Sequence, residues 1–278
     1  MDNDFYLLDN TDKLNDIVRP FQKELNRGQR LADFLKQCIR CAGRDDFLQL
    51  DELLSSKMVQ NVEQEEVLAE CKPLFDELRQ SAQDKVDRYR MELIGDLTSL
   101  GKEAGLDIVI DFPRFSILKG IDGEIAFGDR TTTINKRVMK SIDPRRIVTA
   151  LGRLKKELYD RPFEPEKYVN SLHKTYVVIC KADNLPAASP VAIQRFYLEY
   201  VISLQSKVFF TNMEKSKFRG YSLEQFSVDL WRCFESGITT TSQGMSFKLT
   251  SGRNFCLWLL DSTGQRKQIS SISFQESK

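Results

Sequence analysis

The chain has a single histidine, His173, among its 278 residues. That excludes a His-x-x-x-His zinc site and any relay needing two imidazoles. His173 would have to serve alone as the base for a serine or cysteine nucleophile, and no G-x-S-x-G accompanies it. In Leu172-His173-Lys174 it reads as a residue flanking a helix. Neither G-x-x-x-x-G-K-[ST] nor G-x-G-x-x-G occurs, so nucleotide phosphates find no glycine cradle. No run approaches the roughly 18 apolar residues of a membrane span. The start, Met1-Asp2-Asn3-Asp4, is acidic where a signal peptide is basic.

Cysteine is sparse, at positions 38, 41, 71, 180, 233 and 256, mostly in apolar surroundings. The expectation is reduced thiols in a cytoplasmic protein. Cys38 and Cys41 form one C-x-x-C with no second pair, inside a helical stripe, and read as small core residues rather than a metal or redox pair. No cofactor and no metal site is expected, and the chain reads as non-catalytic.

Composition is that of a soluble globular chain, with 41% hydrophobic and 29% charged residues and a mean hydropathy of −0.38. The net charge of +1 conceals an asymmetry. Residues 1–105 carry 22 acids against 15 bases, a net of −7, whereas residues 106–278 carry 18 against 26, a net of +8. Two regions are expected on this basis: an acidic one at 1–105 that docks protein, and a basic one at 106–278 that contacts nucleic acid or a partner.

The acidic region has helical periodicity throughout. Leu14, Ile17, Val18, Phe21 and Leu25 make one stripe; Leu31, Phe34, Leu35, Cys38, Ile39 and Ala42 make the next. Gly28 is expected to separate them and Pro20 to bend or shorten the first. Asp45-Asp46 offers an N-cap for a short third helix. The longest pattern runs from Leu68 to Ala104 with a mean step of 3.6, the period of a straight helix, and Pro73 is expected to kink it or to mark its first turn. The charges opposite that stripe read as a solvated face.

After Gly105 the period shortens. Strands are expected at 107–111 and 131–134, a hairpin at 115–128, and a helix opened by Asp143-Pro144. The apolar run Tyr176–Cys180 reads as a buried strand. Ser189-Pro190 reads as another helix start, and Ser222 with Gln225 has capping-box spacing. Strands at 245–250, 255–260 and 268–274 close the chain, the last two joined by the turn Asp261-Ser-Thr-Gly264. The fold class is therefore α+β: an N-terminal helical region with a long helix, then a mixed region ending in β-hairpins. Helices near 190–204 and 222–236 followed by the hairpins suggest a winged-helix-like unit. Arg253 or Arg266-Lys267 would then lie at the wing tips, but a third helix is missing from the pattern.

Three clusters are candidates for chemistry. Asp107, Asp111, Asp122, Glu124 and Asp129, with Lys119 nearby, have the composition of a metal-dependent nuclease site, although turns favour Asp for backbone reasons alone. Lys136, Arg137, Lys140, Arg145, Arg146, Arg153, Lys155 and Lys156 stand against one acid, Asp143, and are the expected nucleic-acid contacts. Cations at 145 and 146 sit poorly in a first helical turn, a conflict that a phosphate would relieve. Lys207, Phe209, Phe210, Lys215, Lys217, Phe218, Arg219 and Tyr221 interleave bases with rings, as single-strand binders do. A core-facing strand followed by a basic loop accounts for the same letters and is preferred. The expected function is an accessory subunit without catalysis, docking a protein partner or a second copy through the helices and contacting DNA or RNA through the basic half. A protein scaffold without nucleic-acid binding and a metal-dependent nuclease are the alternatives.

Overall fold

The structure, a computed structural model, describes residues 2–276, with the side chains of residues 2–10 and 12 outside the description. The acidic start from Met1 to Asp4 therefore receives no side-chain account. The chain divides into two compact units, residues 1–96 with 126–130 and residues 97–125 with 131–278. The division falls inside a helix, ahead of the change of period at Gly105. The class is α+β, as the patterning implied.

In the first unit, α1 (Asp2–Gly43), α2 (Phe47–Ser55), α3 (Lys57–Glu63) and most of α4 (Cys71–Glu103) surround one core. Leu31, Phe34, Cys38 and Cys41 of α1 pack on Leu50 and Leu54, Val59 and Val62, and Phe75 and Ala82. Gly28 does not divide α1, and Pro20 neither ends nor shortens it. A proline costs one backbone bond, and a helix this long can absorb that loss. Pro73 lies in the first turn of α4, where its missing N–H costs little. The α2 cap is as expected: the Asp46 carboxylate accepts from the Gln49 N–H at 3.3 Å. Burial raises the Cys38 thiol pKa to about 11, with Cys41 adding to it. The C-x-x-C is thus core packing. Leu14, Ile17, Phe21 and Leu25, by contrast, are each more than 60% exposed.

The second unit begins with an antiparallel meander, β1 (Val109–Asp111), β2 (Arg114–Leu118), β3 (Ile121–Ala126), β4 (Thr131–Ile134) and β5 (Arg137–Met139), in that spatial order. The pattern had not suggested β5. Residues Asn135 and Lys136, with φ of 45° and 67°, form the two-residue turn that joins it to β4, the mirror-image turn suited to strand twist. The Asn135 side chain locks the neighbouring turn, accepting from the Asp122 N–H at 3.1 Å and donating to the Gly120 carbonyl at 2.8 Å. Helix α5 (Pro144–Leu158) follows with its Asp143 cap.

Next come α6 (Pro165–Ala182), β6 (Val191–Ala192), α7 (Ile193–Ser203), α8 (Lys207–Asn212), α9 (Leu223–Glu235), β7 (Met245–Ser251), β8 (Leu257–Leu260) and β9 (Arg266–Glu276). The expected strand at 176–180 is instead the C-terminal part of α6. Tyr168, Val169, Leu172, Thr175, Tyr176 and Ile179 form its buried face at helical spacing, while Val178 is exposed. His173 lies inside that helix against the Phe274 ring, 4.9 Å away, and not at its flank. Ser189-Pro190 does not start α7; β6 intervenes and the helix begins at Ile193. Ser222 does cap α9, accepting from Gln225 N–H at 3.1 Å.

Strand β7 pairs along one edge of β9, and β8 and β6 pair with successive parts of its other edge. Helix α6 thus precedes the short strand β6, and α7, α8 and α9 separate that strand from β7, β8 and β9. Phe196, Phe226, Ile272 and Phe274 are buried at the centre of this unit.

Candidate nucleic-acid interface

The eight expected basic contacts occupy two adjoining elements. Lys136, Arg137 and Lys140 belong to the β4–β5 hairpin and its exit, all exposed. Strand β5 is a sheet edge, where cations also serve to discourage further strand pairing. Arg145, Arg146, Arg153, Lys155 and Lys156 belong to α5.

That helix is strongly two-faced. Ile147, Val148, Leu151, Leu154 and Leu158 form its buried stripe, packed toward β4 and α9. The remaining positions give Arg145, Arg146, Arg153 and Lys156 to the solvent side, spread over about 16 Å at 1.5 Å per residue. A shallow depression of about 290 Å³ is lined by Met139, Arg145, Arg146, Thr149, Ala150 and Arg153, so the hairpin and the helix share one surface. Lys155 is turned aside, half-buried and 3.9 Å from Asp160. Among the described residues it is the only one of the eight in an ion pair.

The helix start does not itself call for a phosphate. The Asp143 carboxylate accepts from the Arg145 N–H at 2.9 Å and places a negative charge at the positive end of the dipole. The unpaired positive charge of this face lies in its side chains.

The wing is not the basic tip that its sequence suggested. Arg266 reaches back to the Gly120 carbonyl at 3.1 Å and to Asp122 at 3.2 Å. Lys267 pairs with Asp261 at 2.5 Å. Burial pushes the Asp261 carboxyl up, but Lys267, the Thr263 hydroxyl and the N–H groups of Gln265 and Thr263 outweigh it and hold the pKa well below the ordinary range. Of the three bases expected at the wing tips, Arg253 and Lys267 are exposed, and among the described residues Arg253 alone is in no ion pair.

Helix α9 is the second of the two helices that the sequence placed in a winged-helix-like unit. Here Phe226, Ser227, Val228, Asp229, Leu230 and Cys233 are buried, and α5, α6 and β8 pack around it. Buried Asp229 is paired with Arg161 and accepts from the Tyr221 hydroxyl at 2.6 Å. Arg232 lies 4.3 Å over the Phe163 ring. The other residues of the helix are half-buried except Glu235, so it presents little free surface.

The carboxylates do not assemble. Asp122 is held by Arg266, Glu124 lies 3.9 Å from Arg114, and Asp129 belongs to the first unit. Among the described residues no group of three or more His, Cys, Asp or Glu is placed to hold a metal. No helix among them is long and apolar enough to cross a membrane.

No family model, curated protein or solved structure matches the chain. Its own geometry has to carry the functional reading.

Proposed function

We propose that the protein is a non-catalytic accessory subunit that contacts nucleic acid through the solvent face of α5 and docks a protein partner or a second copy through α1. The observation that carries the first half is the row Arg145, Arg146, Arg153 and Lys156, exposed together and free of carboxylate partners among the described residues. Guanidinium and ammonium groups on such a face neutralise phosphates and release condensed counterions. Because α9 is buried, contact is with the backbone, and binding is largely independent of sequence.

The second half is supported by the apolar stripe at Leu14, Ile17, Phe21 and Leu25, which lies in water along a helix. Contiguous exposed apolar surface of this kind marks an interaction face.

The test is binding of labelled single- and double-stranded DNA and RNA between about 50 and 200 mM salt, with and without Mg²⁺. Steep salt dependence with no cleavage is expected. No binding at the lowest salt would sink the nucleic-acid half and leave a protein scaffold.

A further inference from the structure

Residues 205–219 join α7 to α9 by an excursion much longer than the three or four residues that link the helices of a helix-turn-helix. The expected core-facing strand is absent. Residues 207–212 form α8, which buries no residue, and every residue from Phe210 to Gly220 is exposed. Short apolar runs do not distinguish a strand from a surface helix, and this one has no second layer to pack on.

The excursion is nevertheless built. The Gln205 amide donates to the Val201 and Arg219 carbonyls at 2.8 and 3.0 Å and accepts from the Arg219 N–H at 2.8 Å, clamping the two ends together. The Ser206 hydroxyl caps α8, accepting from Phe209 N–H at 3.2 Å. Phe209 then sits between two rings, with centroids 5.5 Å from Phe210 and 5.5 Å from Phe218. Those outer rings are 51% and 46% exposed. The same segment carries Lys207, Lys215, Lys217 and Arg219, all exposed, against the single acid Glu214.

We propose that this aromatic platform is a binding site for single-stranded nucleic acid, with bases stacking on Phe210 and Phe218 and the four cations tracking the phosphates. The inference rests on the reading of the basic half as a nucleic-acid contact and assigns it a strand preference. Two features select this occupant: the segment's charge is complementary to phosphate, and Phe218 stands in sequence between Lys217 and Arg219, all three exposed. Flat rings accept any base, which agrees with the absence of a groove-reading helix.

The experiment compares a labelled oligothymidylate and a labelled duplex by fluorescence anisotropy on the full chain. Phe210→Ala with Phe218→Ala is expected to weaken single-strand binding by at least about tenfold, since stacking contributes about 1–3 kcal/mol per base. The salt slope and duplex binding should be unchanged. Phe210→Leu with Phe218→Leu keeps the apolar volume without the flat face and should behave like the alanine pair, whereas Phe→Tyr at both positions should bind as the parent does. Lys215→Glu with Lys217→Glu, which leaves the rings intact, should weaken binding and lower the single-strand slope by roughly 0.7 for each phosphate no longer neutralised.

Unchanged single-strand affinity in the alanine pair overturns the proposal, as does full affinity in the leucine pair. So does binding to phosphatidylserine vesicles that the alanine pair abolishes while strand binding survives. Loss of the duplex salt slope on substituting α5, with the platform variants silent, would defeat this inference alone. The reverse pattern would defeat only the assignment to α5.

Discussion

Replacing Arg145, Arg146 and Arg153 together with alanine removes three of the four unpaired cations from the solvent face of α5 while leaving its buried stripe intact. Each phosphate that is no longer neutralised lowers the slope of log K against log salt by about 0.9 on duplex DNA, so three phosphates amount to about 2.7. Over the fourfold span from about 50 to 200 mM, the parent should therefore lose roughly 40-fold more affinity than the variant does. Misfolding does not supply a second explanation, because the three side chains are exposed and alanine is the best helix former. The thermal midpoint should hold or rise slightly, and far-ultraviolet circular dichroism should be unchanged. The assay is anisotropy titration of one labelled duplex at four salt concentrations. A variant slope equal to that of the parent refutes the assignment of phosphate contacts to α5, even if affinity changes at one salt concentration.

Other consequences of the structure are equally open to measurement. Leu97, fully buried in α4, should cost about 2–5 kcal/mol when cut to alanine, whereas Leu14→Ala and Phe21→Ala should change urea stability by less than about 0.5 kcal/mol. A destabilisation above about 1 kcal/mol at Leu14 or Phe21 would mean the stripe packs within its own chain. Asp229→Ala leaves Arg161 without its partner and should destabilise by about 3 kcal/mol, the low end for a broken buried pair because Arg161 keeps some access to water. Burial raises the Asp229 pKa, against the pull of Tyr221 and Arg161, so its contribution is present below the unfolded carboxyl pKa and is lost as pH rises. Burial lowers the His173 pKa, so its contribution is present above about pH 6.5 and is lost as pH falls. Denaturant midpoints between pH 7 and 5 should decline less in His173→Phe; an identical decline would show that other groups govern that range.

Local grammar was legible wherever a cap or a turn fixed it. Asp143 before Pro144, Ser222 three residues ahead of Gln225, and the Asp261–Gly264 turn all do what their spacing implies. What was hidden depends on partners distant in sequence. The run 176–180 is rich in β-branched and aromatic residues, and its helical period emerges only when Tyr168, Val169 and Leu172 are read with it. Gly28 resembles a break because glycine is a poor helix former, yet α1 continues through it on the strength of the packed turns that follow, from Leu31 to Cys41. The basic window was visible as composition. Its division into four unpaired cations on α5, a paired Lys155 and three residues of the β4–β5 hairpin and its exit was not, because exposure and pairing on α5 are set by the stripe that it buries. Asp122 and Arg266 illustrate the same limit: they are 144 residues apart in sequence, and the ion pair between them removes one candidate carboxylate and one candidate wing cation together.

The buried α9 links these observations. A helix that reads bases must be offered to a groove, yet α9 carries Glu224, Asp229 and Glu235 against Arg232 and packs among α5, α6 and β8. Extracting it would break the Asp229–Arg161 pair and open the core around Phe226. Helix α5 both covers α9 and presents the outward cations, so the packing that hides α9 also creates the basic face. Under the proposed function, specificity then comes from strandedness at the proposed Phe210–Phe218 platform and from the partner proposed for α1.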